Sequence, residues 1–138
     1  MTTKEYLSQV RRYDTIISNK LEELTELRIM AYGPRGYNFG ERVQTSKSND
    51  RAFADLIKIA DLEREVDKLV DKRVDIIQQI ESLENTDLYD VIAKRYILNK
   101  DIKTISMETN KSTRQVFNLI DEAIDYFEKK YGKLYLLH

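Results

Sequence analysis

Arg114 and Asn118 stand four residues apart, a spacing that brings two side chains to one face of a helix. Arginine pairs with guanine edges and asparagine with adenine edges, so the chemistry on offer is base reading in the major groove of DNA. The surrounding segment, Val91 to Asn118, holds six basic residues (Lys94, Arg95, Lys100, Lys103, Lys111, Arg114) against Asp101 and Glu108, a local net charge of +4. The chain's overall charge of −1 hides this excess. Lys and Arg hold phosphates, so Arg95, Lys100, Lys103 and Lys111 are candidate backbone contacts, with the Gln115 amide as a neutral one. A blander account is a corner between two helices whose charges are solvated. Asp121, Glu122, Asp125 and Glu128, further along the same segment, fit that account.

Catalysis finds less to work with. The chain has no cysteine and its one histidine is His138, so thiol or histidine triads and a zinc site are excluded. What remains is carboxylate. Glu63, Asp67, Asp71 and Asp75 recur every four residues, and Glu23 and Glu26 can share a face. All-helical nucleotide pyrophosphatases hold magnesium with paired carboxylates at such spacing. Arg64, Lys68, Lys72 and Arg73 run through the same stripe, however, and an ion-paired solvated face explains it better. The expectation is a protein that is not an enzyme, with no metal and no cofactor.

The elements that must position Arg114 and Asn118 read as a short helix, a turn and a longer helix over Asp101 to Tyr131. Ser112 can cap the longer helix and Gln115 completes a capping box. Beyond it, Val116, Leu119, Ile120, Ala123, Ile124 and Phe127 fall on one side of a 3.6-residue wheel, with Arg114, Asn118, Asp121 and Asp125 opposite. The shorter helix offers Ile102, Ile105 and Met107 to a core, and Thr109, Asn110 and Lys111 suit a turn in which Asn takes a left-handed backbone. A preceding helix, Asp87 to Ile97, brings Leu88, Val91, Ile92 and Tyr96, with Asp87 as its cap. Three such helices can bury a core of their own, and two helices so joined are the device that places one of them in the major groove.

At these residues the segment Leu88 to Phe127 resembles region four of bacterial sigma factors and the sigma-like late-transcription regulators of phages of Gram-positive bacteria, the ArpU and RinA type. The matching features are Arg95-Tyr96 ending the first helix, Ile102 to Ser106 as the scaffold helix, Ser112 and Val116 opening the reading helix, and Ala123-Ile124. The N-terminal stretch Met1 to Leu24, Arg42 to Ser46 and Asp61 to Glu65 are similar to phage regulators of the same kind. The resemblance implies promoter recognition, with Thr113, Arg114 and Asn118 contacting bases and Phe117 at the edge. The chain departs from that pattern at Asp121 and Glu122, where a basic residue is usual, and at Ser106, where alanine is usual. The acidic pair weakens phosphate contact by the distal half of the helix.

Upstream, Tyr6, Val10, Tyr13, Ile17, Lys20, Leu24, Leu27 and Ala31 recur at steps of four and three, as do Ile59, Leu62, Val66, Leu69, Arg73, Ile76, Ile80 and Leu83. These are coiled-coil seams, each interrupted by one basic residue, and their simplest arrangement is an antiparallel hairpin. A second apolar set (Leu56, Ala60, Val70, Val74, Ile77) widens the second stripe beyond what a hairpin covers, which calls for a homodimer or a larger partner. Tyr32 to Asn49 contains three of the four glycines and the only proline and reads as a loop. Its Tyr32, Tyr37, Phe39, Arg35, Arg42 and Lys47 can stack on nucleic acid or pack on their own hairpin. Asn49 or Asp50 then caps the second rod, and Glu84 to Asp87 breaks it.

The expected fold is all-α: a long coiled-coil-like antiparallel hairpin (1–84, loop 32–50) followed by a small helix-turn-helix domain (85–138). The expected function is a cytoplasmic, sequence-specific transcription regulator of phage or prophage genes that binds double-stranded DNA, works with RNA polymerase and has no membrane partner. Two other readings stay open. One is a packaging or assembly factor of the small-terminase kind, and the other a coiled-coil protein that binds RNA polymerase without touching DNA. For the last, the apolar tail Leu134 to Leu137 is a docking patch unless it packs back on the final helix.

Overall fold

The computed structural model describes residues 1–32 and 46–136, with side chains described outside 46–49. Every regular element among the described residues is helical. α1 spans Thr3–Tyr32, α2 Ser46–Glu81, α3 Thr86–Ile92, α4 Ile102–Thr109 and α5 Thr113–Tyr131. No described helix is long and apolar enough to cross a membrane.

Residues 3–32 contain neither proline nor glycine, and Thr2 Oγ1 accepts the Glu5 backbone N–H at 3.2 Å to fix the start of α1. α2 begins at Ser46, earlier than the loop composition suggests, so neither Asn49 nor Asp50 is its cap. Adding a turn to an existing helix gains a hydrogen bond per residue fixed, which offsets the weak propensity of Ser and Asn there. The loop aromatics Tyr37 and Phe39, with Arg35 and Arg42, lie outside the described residues, as does His138. Tyr32 is the exposed last residue of α1.

The chain break after α2 is real, but its cap is not Asp87. Asn85 accepts the N–H groups of Asp87 and Leu88 at 3.0 and 3.2 Å, which starts α3 one residue earlier. Asn and Asp cap equally well, and the position of the break decides between them. The segment then widens: Ala93–Ile97 forms a π-helical turn, and Leu98 N–H reaches back five residues to the Ala93 carbonyl at 3.0 Å. Asn99, at φ 55°, ends it in the left-handed region that asparagine tolerates.

Two compact units result. The first comprises residues 1–14 and 72–138, the second residues 15–71. The sequence boundary expected at 84/85 therefore falls inside the first unit. Its core joins Leu88, Val91 and Ile92 of α3, Ile105 of α4, and Val116, Ile120, Ala123 and Phe127 of α5 with Leu7 and Val10 of α1, Ile76 and Ile80 of α2, and Leu83 just after α2. The three short helices do not bury a core of their own: Leu7, Val10, Ile76 and Ile80 from the long helices belong to the same cluster. Met107, expected to face this core, is 71% exposed, since Ile105 takes the buried position.

An aromatic cluster closes the same core. Tyr6 stacks on Tyr135 with ring centroids 4.2 Å apart, and Phe127 packs at 6.0 Å from Tyr6 and 5.1 Å from Tyr131. The Tyr135 hydroxyl shares a 2.9 Å hydrogen bond with Thr3, whose Oγ1 also lies 3.0 Å from Glu128 Oε2. Burial pushes the Tyr6 and Tyr135 hydroxyls above the ordinary tyrosine value. Tyr135 thus packs back on the molecule while Leu134 and Leu136 remain exposed. A Cβ at Gly132 would lie 2.8 Å from Leu136 Cδ1, the end of an exposed side chain that can swing aside.

The two basic seam residues are not buried unpaired. In the first unit Arg73 pairs with Asp14, and in the second Lys20 Nζ donates to Glu65 Oε2 at 2.6 Å. The attraction of Lys20 holds the Glu65 carboxyl below its usual range. The second unit has a smaller core of Leu24, Ile59 and Val66, flanked by Ile17, Leu27, Ala31 and Leu62. Of the widened stripe, Leu56, Ala60 and Val70 are exposed in this unit and Val74 is exposed in the first, whereas Ile77 is half-buried and packs against the core of the first unit.

Candidate nucleic-acid interface

α5 starts where its sequence says it should. Ser112 Oγ accepts the Gln115 N–H at 3.1 Å, and Gln115 Oε1 accepts the Ser112 N–H at 2.9 Å, a complete capping box. Ser112→Ala will cost about 1 kcal/mol, read as a lower midpoint in urea unfolding at unchanged slope. An unchanged midpoint would show that the cap contributes nothing.

The turn before it is locked by hydrogen bonds that also account for Ser106. Asn110 takes φ 56°, the left-handed geometry expected of it, and caps α4. Lys111 N–H donates to the Ser106 carbonyl at 3.2 Å, and Ser106 Oγ donates to the Lys111 carbonyl. A serine at this position thus ties both ends of the turn together, which alanine cannot do. At the other end of α4, Asp101 accepts the Thr104 N–H at 2.8 Å, and this bond holds its carboxyl below the usual range.

On this frame Thr113, Arg114, Gln115, Phe117 and Asn118 are exposed while Val116 and Ile120 point into the core. Arg114 and Asn118 share the outward face that their spacing predicts. Gln115 and Asn118, with Lys111, Leu119 and Asp87, line a shallow groove of about 290 Å³. Thr113 and Arg114 lie outside that groove, and Asp87 brings a carboxylate to it.

The proposed phosphate contacts differ in availability. Lys103, Lys111 and Arg114 have no ion pair among the described residues. Lys100 Nζ donates to both Glu108 oxygens at 2.6 and 2.7 Å, and Lys94 pairs with Asp90. Surface pairs of this kind hold by roughly 1 kcal/mol or less, so a phosphate can displace Glu108. Gln115 has its carbonyl oxygen committed to the cap, leaving its NH₂ to donate. Arg95 Nη1 donates to the Lys100 carbonyl at 3.2 Å, and its side chain lines a cavity with Ser8, Arg11, Tyr96 and Asn99.

Arg11 and Ser8 were not visible as functional residues in the sequence. They belong to a seam-bearing rod some eighty residues from Arg95, and the only local signal was the Arg11-Arg12 pair. The carboxylate stripe of α2 is exposed, with Glu63 tied to Arg28 at 3.2 Å. Compared with known proteins, the chain matches no family model, no curated protein and no solved structure.

Proposed function

We propose that the chain is a sequence-specific DNA-binding transcription regulator, sigma-like in its reader, and not an enzyme. The reader is the helix-turn-helix formed by α4, the Asn110–Ser112 turn and α5. The observation that carries this reading is the exposed set Thr113, Arg114 and Asn118 on the first turns of a helix whose start is fixed by a double cap. Thr113, Arg114 and Asn118 read bases, and Lys103, Lys111, Gln115, Lys100 and Arg95 hold phosphates. Asp121 and Glu122 on the next turn limit the affinity of a single copy. The long helices supply the remedy as an antiparallel hairpin, supported by the pairing of Lys20 with Glu65 and Arg28 with Glu63 in one unit and Asp14 with Arg73 in the other. The exposed Leu56, Val70 and Val74 stripe supports a homodimer or docking on RNA polymerase, in the cytoplasm of a bacterium carrying the phage or prophage.

The test is binding to promoter fragments from the source genome across a salt series. Log affinity will fall linearly with log salt, by about 0.9 per phosphate contacted. Arg114→Ala will lose roughly ten- to a hundredfold on the preferred sequence and relax its preference, while Lys111→Ala will weaken all sequences alike. Wild-type protein without DNA affinity at low salt, recovered only with RNA polymerase, would overturn the reader and favour the coiled-coil polymerase-binding alternative.

A further inference from the structure

The first unit has a second cluster of donors that the reading helix does not use. Ser8 and Arg11 of α1, Arg95 and Tyr96 of the π-helical turn, and Asn99 in its left-handed position line one cavity of about 130 Å³. Each of the five side chains carries an N–H or O–H donor, and none is a carboxylate. An anion entering this space would meet the positive charges of two arginines that line it. One of them is already oriented: the 3.2 Å bond from Arg95 Nη1 to the Lys100 carbonyl fixes its planar fork and leaves further N–H groups unspent. Asp121, whose charge reaches the Tyr96 hydroxyl, does not line the cavity.

The wall is built by the irregular backbone described above. The widened turn that ends at Leu98, with Asn99 at φ 55°, brings the consecutive pair Arg95-Tyr96 and Asn99 to the same space. Ser8 and Arg11, three residues apart on α1, share a face opposite them.

We propose that this cavity binds a phosphoryl group, held by Arg11 and Arg95 with Ser8, Tyr96 and Asn99 as neutral donors. Guanidinium forks match phosphate oxygens in bidentate geometry, and neutral hydroxyl and amide donors complete such a shell. The phosphate comes either from the DNA backbone, in which case the inference rests on the reader assigned above, or from a free phosphorylated small molecule.

The experiment uses the full chain and sodium orthophosphate as probe, with sodium chloride at matched ionic strength as control. Side-chain Nε–Hε resonances of Arg11 and Arg95 will shift together on addition of orthophosphate. Arg11→Ala and Ser8→Asp, both at exposed positions, will weaken that binding by at least roughly tenfold at unchanged thermal stability, whereas Arg12→Ala will not. The salt dependence of DNA binding then distinguishes the sources. A slope smaller by about 0.9 in Arg11→Ala, but not in Arg12→Ala, assigns the cavity to a backbone phosphate, with or without measurable orthophosphate binding. Orthophosphate binding with an unchanged slope, or with no DNA binding by the wild type, assigns it to a free phosphorylated molecule and leaves the cavity standing even if the reader falls. Absence of both the resonance shifts and the slope change overturns the proposal.

Discussion

A chain lacking residues 1–14 will not retain a stably folded reader. Leu7 and Val10 are fully buried in the core that holds α3, α4 and α5, and Tyr6 stacks on Tyr135 within it. Emptying a buried Leu position alone costs on the order of 2–5 kcal/mol, and the truncation empties several sites at once. Small domains are stable by only about 5–15 kcal/mol, so the sum removes most or all of the margin. The expected result is loss of amide dispersion in the spectra of residues 85–138, and with it loss of the DNA binding proposed above. A truncated protein that melts at the wild-type temperature would show that the helix-turn-helix segment is self-sufficient.

Phe127→Ala will have the next largest effect. The ring is fully buried on the inner face of α5 and touches both Tyr6 and Tyr131. Its removal leaves a cavity that Tyr6, Tyr131 and Tyr135 cannot readily collapse to fill. The expected cost is about 3–5 kcal/mol, read as a fall in melting temperature of roughly 10–20 °C. Phe127→Leu keeps much of the volume and should recover more than half of that loss. A shift of less than about 1 kcal/mol for the alanine variant would mean that the aromatic cluster does not hold the unit together.

Local signals in this chain were legible and distant ones were not. The Ser112–Gln115 box, the left-handed Asn110 and the buried side of α5 follow from side chains within a turn or two of each other, and all three stand in the structure as the sequence predicts. The all-helical character follows from the two periodic seams in the same way. Asn85 taking the cap from Asp87 is an error of two residues between equally able side chains. The exposure of Met107 reflects a short helix with room for few inward positions. The participation of Leu7 and Val10 in the core of α3, α4 and α5 was hidden for a different reason. A heptad seam looks the same whichever apolar surface it meets, so periodicity marks a buried face without naming what buries it. The cavity around Arg11 and Arg95 shares that cause, since only tertiary packing brings its two arginines to one space.

The hydrogen bond between Thr3 and Tyr135 joins residues 132 positions apart. During synthesis, residues 3–14 are made before the surfaces that cover them, which come largely from α3, α5 and Tyr135. At roughly 5–20 residues per second, Leu7 and Val10 wait on the order of ten seconds for their partners. Closing so long a loop also carries an entropic cost that contacts within one helix do not. The second unit, residues 15–71, is complete well before that moment. The second unit can therefore fold before the core that unites α1 with α3, α4 and α5 exists.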